Sequence, residues 1–196
     1  MSDTRILDDP DLSARIRSRD PEALTAVVDA YLDQIVRAAR GAGLDRVQAE
    51  EVAQNTFTTF IETAPRFEGR SHVRTWVFGI LFRKLQEARR GFAKDRRMED
   101  IDEVFESRFT ETGSWGQPPQ GPDDQLFAKE ARQEIGDCLE AAPENQRLAF
   151  IFREVEGLST KEICKILGVS TTNLGVMLYR VRNRLRDCLE TKWEAS

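Results

Sequence analysis

Two groups of side chains have the types and spacing to act on a ligand, and both suit a polyanion. Residues 66–97 carry ten Lys/Arg against three Asp/Glu: the bases are Arg66, Arg70, Arg74, Arg83, Lys84, Arg89, Arg90, Lys94, Arg96 and Arg97, interleaved with Trp76, Phe78 and Phe82. Cationic side chains neutralise phosphates and aromatic faces stack bases, so this segment reads as a surface for single-stranded or distorted DNA. The plainer alternative is that the three aromatics are core. Residues 158–196 form a second basic island, seven against four. There a polar start, Ser170, Thr171, Thr172 and Asn173, leads into a helix carrying Arg180, Arg182, Arg184 and Arg186. Two helices joined by a short Gly turn, the second polar at its N-terminus, present side chains to a major groove. Its plainer alternative is a helical hairpin with a solvated basic face.

Nothing in the sequence resembles a catalytic or metal constellation. His72 is the one histidine and has no partner at metal-ligand spacing, and there is no phosphate-binding Gly loop. The reading is therefore no cofactor, no metal and no catalytic residue. Cys138, Cys164 and Cys188 lie too far apart for a CxxC pair and are expected to be reduced, buried thiols. The longest apolar run, Trp76 to Phe82, is far short of the roughly 20 residues of a membrane span. The N-terminus is acidic at Asp8, Asp9 and Asp11, unlike a signal peptide, so a cytoplasmic chain without membrane insertion is expected.

A net charge of -5 hides the distribution. Residues 98–146 hold three basic against thirteen acidic side chains, and residues 1–65 hold seven against twelve. The acidic excess is local, and the two islands stand clear of it.

The elements that must position these groups are helices. Asp20-Pro21 starts one, with Leu24, Val27, Val28, Tyr31, Leu32, Ile35 and Val36 at helical spacing until Gly41 and Gly43. A second begins at Asp45 with Gln48 in capping-box position; Ala49, Val52, Ala53, Phe57, Phe60 and Ile61 form its apolar face, and Glu50, Glu51, Gln54, Asn55 and Thr58 its polar one. A third runs from Ser71 to about Arg90 with Val73, Trp76, Val77, Ile80, Leu81 and Leu85 inward. From Glu99 to Asp124 acidic residues give way to Gly and Pro, which predicts a flexible linker. Helical periodicity resumes at Leu126, breaks at Pro143, and continues through Leu148, Ile151, Phe152 and Val155 to Gly157. Ser159 to Glu162 forms a second capping box, Gly168 permits a tight turn, and Ser170 caps a last helix with Leu174, Leu178, Val181, Leu185 and Leu189 on one stripe. The expectation is an all-α chain of two helical modules, residues 1–97 and 126–196, joined by an acidic linker over 98–125.

Two stretches make a family resemblance specific. One is Ala49-Glu50-Glu51-Val52-Ala53-Gln54, followed by Phe67 and by Arg74-Thr75-Trp76-Val77-Phe78-Gly79-Ile80. The other is Pro143-Glu144-Asn145-Gln146-Arg147, then Gly157-Leu158-Ser159-Thr160-Lys161-Glu162-Ile163 and Tyr179-Arg180-Val181-Arg182. In this order, from about Glu22 to Glu190, the chain resembles bacterial RNA polymerase sigma factors of the extracytoplasmic-function class. The resemblance implies an initiation factor whose partners are core RNA polymerase, promoter DNA and a cognate anti-sigma factor. It implies that Glu50, Glu51 and Gln54 face polymerase, and that Arg70, Ser71, Arg74, Thr75, Trp76, Arg83 and Lys84 border the melted minus-ten strand. Ser170, Thr171, Thr172, Asn173, Val176 and Arg180 would read the upstream, minus-thirty-five element, while the linker would thread the polymerase cleft. The chain departs from the family pattern at Asn55, where an acidic residue is usual, at Phe82-Arg83, where Arg-Asn is usual, and at Gly175 and Met177, where Lys and Arg are usual. The competing readings are a stand-alone helix-turn-helix regulator and an enzyme with a DNA-binding tail. The first gives the Arg-Thr-Trp segment no purpose, and the second lacks a visible nucleophile, base or metal site.

Overall fold

The computed structural model describes residues 4–92 and 134–194, and all of its regular elements are helical. The proposed linker 98–125, the start of the second helical run at Leu126 and the basic residues Lys94, Arg96 and Arg97 lie outside the described residues.

Helices α1 (Leu12–Arg17), α2 (Pro21–Gly41), α3 (Arg46–Thr63) and α4 (Val73–Phe92) build the first module. Local chemistry sets their starts. The Asp20 carboxylate accepts the backbone N–H of Glu22, and Pro21 occupies the first turn, where no N–H is needed. Arg15 donates to Asp9, Asp20 and Glu22, so α1 is tied to the same corner. The reciprocal Asp45/Gln48 capping box opens α3 as the sequence predicts. Helix α4 starts two residues later than Ser71, where the His72 ring nitrogen accepts the backbone N–H of Arg74.

The second module comprises α5 (134–140), α6 (Glu144–Phe150), a π-helical turn (Ile151–Val155), α7 (Thr160–Leu167) and α8 (Thr171–Glu194). The Ser159/Glu162 capping box is formed, and Gly168 takes a left-handed conformation, φ 69°, between α7 and α8. A β-carbon there would be strained, which is why glycine makes this turn. The continuous helix expected through Val155 is instead widened into a π turn, and Val155 points to solvent.

The thiols depart from expectation. Cys138 on α5 and Cys188 on α8 form a disulfide, and only Cys164 is free, half-buried on α7. Residues 50 apart in sequence meet because α5 and α8 pack together, with Cα atoms 5.9 Å apart. Spacing along the chain, on which the thiol reading rested, carries no information about such a non-local contact.

The two modules share one core. Buried side chains of α1 to α4 are continuous with Leu148, Ala149, Ile151, Phe152, Leu158, Ile163, Ile166 and Leu174 of the second module. Phe78 and Phe152, both fully buried, meet edge to face at 5.5 Å. Gly41 closes α2 where a β-carbon would stand 2.8 Å from Ile151, so its missing side chain permits this approach. A smaller second core, Cys138, Leu139, Ala142, Val181, Leu185 and Leu189, lies between α5 with the turn after it and α8, with Phe150 of α6 packed against it. Phe78 and Phe82 are therefore core, as the plainer alternative has it, and neither is free to stack a base. Leu32 and Ile61, expected inward, are each 41% exposed, because they line a groove between the modules.

Candidate nucleic-acid interface

Three surfaces gather the residues that the sequence singles out. The first is the N-terminal face of α8. Leu174 and Val181 are buried and anchor the helix, which turns Thr171, Thr172, Asn173, Val176 and Arg180 outward on one exposed surface. The Ser170 hydroxyl accepts the backbone N–H of Asn173 at 3.1 Å, so Ser170 fixes the helix start that the others share. Gly175 is exposed on this face too and leaves it without a side chain. Short polar side chains with one arginine can hydrogen-bond base edges and hold a phosphate, and Val176 supplies apolar contact.

The second surface is the start of α4, and it is split. Arg70 is exposed and pairs with Glu68, and Arg83 is exposed and donates to the carbonyl of Gly79. Lys84 pairs with Glu87 at 2.9 Å, and Ser71 is half-buried. Trp76 is half-buried, stacked on Phe67 at 4.7 Å and against the edge of Phe60 at 5.5 Å. Arg74 and Thr75 turn the other way, into the second module. Arg74 donates to Gln34 Oε1, 2.8 Å from Nη2, and to the backbone carbonyl of Glu156, and lies over the Phe78 ring at 5.6 Å. The buried Thr75 hydroxyl donates to Glu162 Oε1 at 2.9 Å.

These contacts belong to a polar seam that sequence reasoning missed. Arg37 on α2 grips Glu156 through two hydrogen bonds of 2.8 Å, and the Glu156 side chain is wholly buried. The carboxylate holds the Arg37 guanidinium pKa above its ordinary value. Burial pushes the Glu162 carboxyl up, but hydrogen bonds from the Ser159 hydroxyl, the Ser159 N–H and Thr75, with the charge of Arg74, outweigh it and hold the group below the usual carboxylate range. Lys165 also reaches the carbonyl of Arg70 at 3.4 Å. The one sequence signal was Glu156 itself, an acidic residue between Val155 and Gly157 at the end of the segment whose apolar residues are Leu148, Ile151, Phe152 and Val155.

The third surface is a groove of 1530 Å³ walled by α2 and α3 on one side and by α5, Phe150, Glu154 and Val155 on the other. Glu50, Glu51 and Gln54, all exposed, lie along it, with Arg46 paired to Glu50 at 2.8 Å just beyond. Four of the large apolar side chains left exposed in the described residues, Leu32, Val47, Ile61 and Val155, line this groove. Apolar side chains gathered in one depression, unlike scattered ones, mark a protein-binding surface. Among the described residues no cluster of His, Cys, Asp and Glu could hold a metal ion, and no helix is long and apolar enough to cross a membrane.

A helix bundle carrying a basic α4, joined to a helix-turn-helix with an open recognition face, defines a DNA-reading protein of two helical modules. The family profile of Sigma-70 region 2 matches residues 27–95, and that of Sigma-70 region 4 matches residues 132–185. A probable RNA polymerase sigma factor of Haemophilus influenzae is 31% identical over 153 residues, covering 74% of this chain and 78% of that protein. The ECF RNA polymerase sigma-E factor of Escherichia coli K12 is 23% identical over 91% of this chain and 93% of its own length. Among solved structures, CnrH in complex with the cytosolic domain of CnrY aligns at a TM-score of 0.67, with 20% identity, over 92% of this chain and 96% of that one. The sigma factor RpoE of Bartonella quintana, in complex with the anti-sigma factor NepR, aligns at 0.60, also with 20% identity, over 85% and 96%. The chain belongs to the sigma-70 family, in its extracytoplasmic-function class, and its role is that of an alternative sigma factor in transcription initiation.

Proposed function

We propose that the chain binds core RNA polymerase in the cytoplasm and directs it to a specific set of promoters, reading the minus-thirty-five element with α8 and capturing the melted minus-ten strand with α4. It performs no catalytic step of its own; the chemistry is the polymerase's. The observation that carries this reading is the outward N-terminal face of α8, where Thr171, Thr172, Asn173, Val176 and Arg180 stand together with no other described element over them. Ser170 sets their register. At the other site Arg70, Ser71, Arg74, Thr75, Trp76, Arg83 and Lys84 supply phosphate contacts and a rim for an extruded base, whose unstacking of a few kcal/mol these contacts offset.

Glu50, Glu51 and Gln54 meet polymerase, and the groove beside them is where a cognate anti-sigma factor lies, covering the same face. The RpoE structure holds the anti-sigma factor NepR, and the apolar lining here suits an amphipathic segment. We assign residues 1–97 and 126–196 to the two functional modules and 98–125 to the tether. The test is transcription from fragmented genomic DNA of the source organism with core polymerase and the purified chain. Discrete new start sites that need both components are expected; a tight duplex footprint by the chain alone, with no polymerase-dependent transcripts, would overturn the reading.

A further inference from the structure

We infer that the recognition face of α8 selects an A·T pair by the C5-methyl group of its thymine, held against Val176 and the methyl of Thr172. The inference rests on the promoter-reading role proposed above and adds the base-pair chemistry that this face recognises. Val176 is 41% exposed, and unlike Leu32, Val47, Ile61 and Val155 it lies outside the groove between the modules. It stands one turn after Thr172, on the side of α8 away from the buried Leu174 and Val181, so the two present methyl groups along one row. Residues 171–186 hold four arginines and no acidic side chain, so the partner of this row is a polyanion and not an apolar protein surface. In the major groove of a duplex the apolar group on a base edge is the thymine methyl. Asn173 is exposed three residues before Val176, and its amide can accept from adenine N6 and donate to adenine N7. An A·T pair is the pair that satisfies both side chains.

Gly175 is a second sign of a ligand at this place. A β-carbon there would meet nothing else of the described chain within 4 Å, so packing does not require glycine, although glycine inside a helix is less stable than alanine. The bare backbone beside Val176 lets the helix lie close against a partner, which brings a side chain as short as valine within reach of a base edge. Arg180, exposed one turn further on, supplies the phosphate contact that fixes the helix at that depth. A missing side chain at 175 and a short apolar one at 176 thus belong to one mode of reading, by close contact with a methyl group.

The experiment titrates holoenzyme, core polymerase with the full chain, against a promoter fragment recovered in the genomic transcription assay, with each thymine of the upstream element replaced in turn by deoxyuridine. The exchange removes the methyl group and keeps every hydrogen-bonding atom of the base. At one or two positions the complex is expected to weaken about fourfold, the effect of withdrawing one methyl group from apolar contact. Val176→Ala should weaken the thymine complex and no longer distinguish it from the deoxyuridine one. Because Val176 is exposed, this variant should keep the parent's melting temperature, which separates lost contact from misfolding. Val176→Ile, which keeps the branched methyl, should keep the discrimination. Gly175→Ala should melt higher than the parent and yet bind the upstream element more weakly. Indifference to deoxyuridine at every upstream position would overturn the inference, as would a methyl effect that Val176→Ala leaves intact. Equal or tighter binding by Gly175→Ala would overturn the close approach on which it depends. A holoenzyme that forms no specific complex with any recovered fragment would instead contradict the promoter reading beneath it.

Discussion

The starts of α8 and α4 are built alike and left in opposite states. Each is the polar beginning of a long helix whose apolar stripe is buried behind it, Leu174 and Val181 in one case, Val73, Val77 and Phe78 in the other. The α8 face looks outward because Leu174 packs into the large core beneath it and no other described element lies over Thr171, Thr172, Asn173, Val176 and Arg180. The α4 face meets α7 and the π turn, because the large core runs through both modules and draws them together at that point. The difference teaches that availability of a binding surface is decided by which elements pack across it, not by the residues of the surface.

The comparison breaks first if the shared core is cut. Phe152→Ala removes a fully buried ring that meets Phe78, and should cost about 3–5 kcal/mol. Urea unfolding followed by helical signal should show both modules of the parent melting in one transition, and the variant melting in two. Reducing the Cys138–Cys188 bond acts on the other core and should destabilise the folded chain by about 2–4 kcal/mol, shifting that single transition as a whole. Denaturation with and without a dithiol reductant reads this.

Smaller effects sharpen the contrast. Arg180→Ala should weaken binding of holoenzyme to the upstream element by about 1–3 kcal/mol in a footprinting titration and leave the melting temperature unchanged, since Arg180 is exposed. Smallest is the effect of acid on the seam. The Glu162 carboxyl is held below its ordinary value of 4.5 in the folded chain, so its stabilisation is fully present above about pH 4.5 and is lost as pH falls through the depressed folded value. Screening keeps the contribution well under about 1 kcal/mol. Acid below pH 4.5 should therefore expand the chain slightly more than it expands Glu162→Ala, which scattering measures.

What was legible in the sequence was local. Asp45/Gln48 and Ser159/Glu162 each close a capping box within four residues, and Gly168 needs only its own backbone conformation, so pattern alone placed α3, α7 and the turn. The outward set on α8 follows from its stripe in the same way. What could not be read depends on the packing of distant elements. The Cys138–Cys188 bond joins residues 50 apart, and the Arg37–Glu156 pair joins residues 119 apart. Leu32, Ile61 and Val155 obey helical periodicity yet face a groove, because an apolar stripe does not say whether its partner is in the same chain. Trp76 was legible in type but not in state, since its stacking on Phe67 depends on the chain turning back after α3.

The central claim is that α4 and α7 are packed together in the free chain, where Thr75 is bonded to Glu162, and that the proposed strand capture by α4 requires them to part. Fluorescence energy transfer between dyes at exposed Glu87 on α4 and Lys161 on α7, in a chain with Cys164→Ser, tests it directly. The predicted result is high transfer in the free protein that collapses on forming an open complex with core polymerase and promoter, while a dye on α8 shows no change relative to α7. Equal transfer between α4 and α7 in the free chain and in the open complex would contradict it.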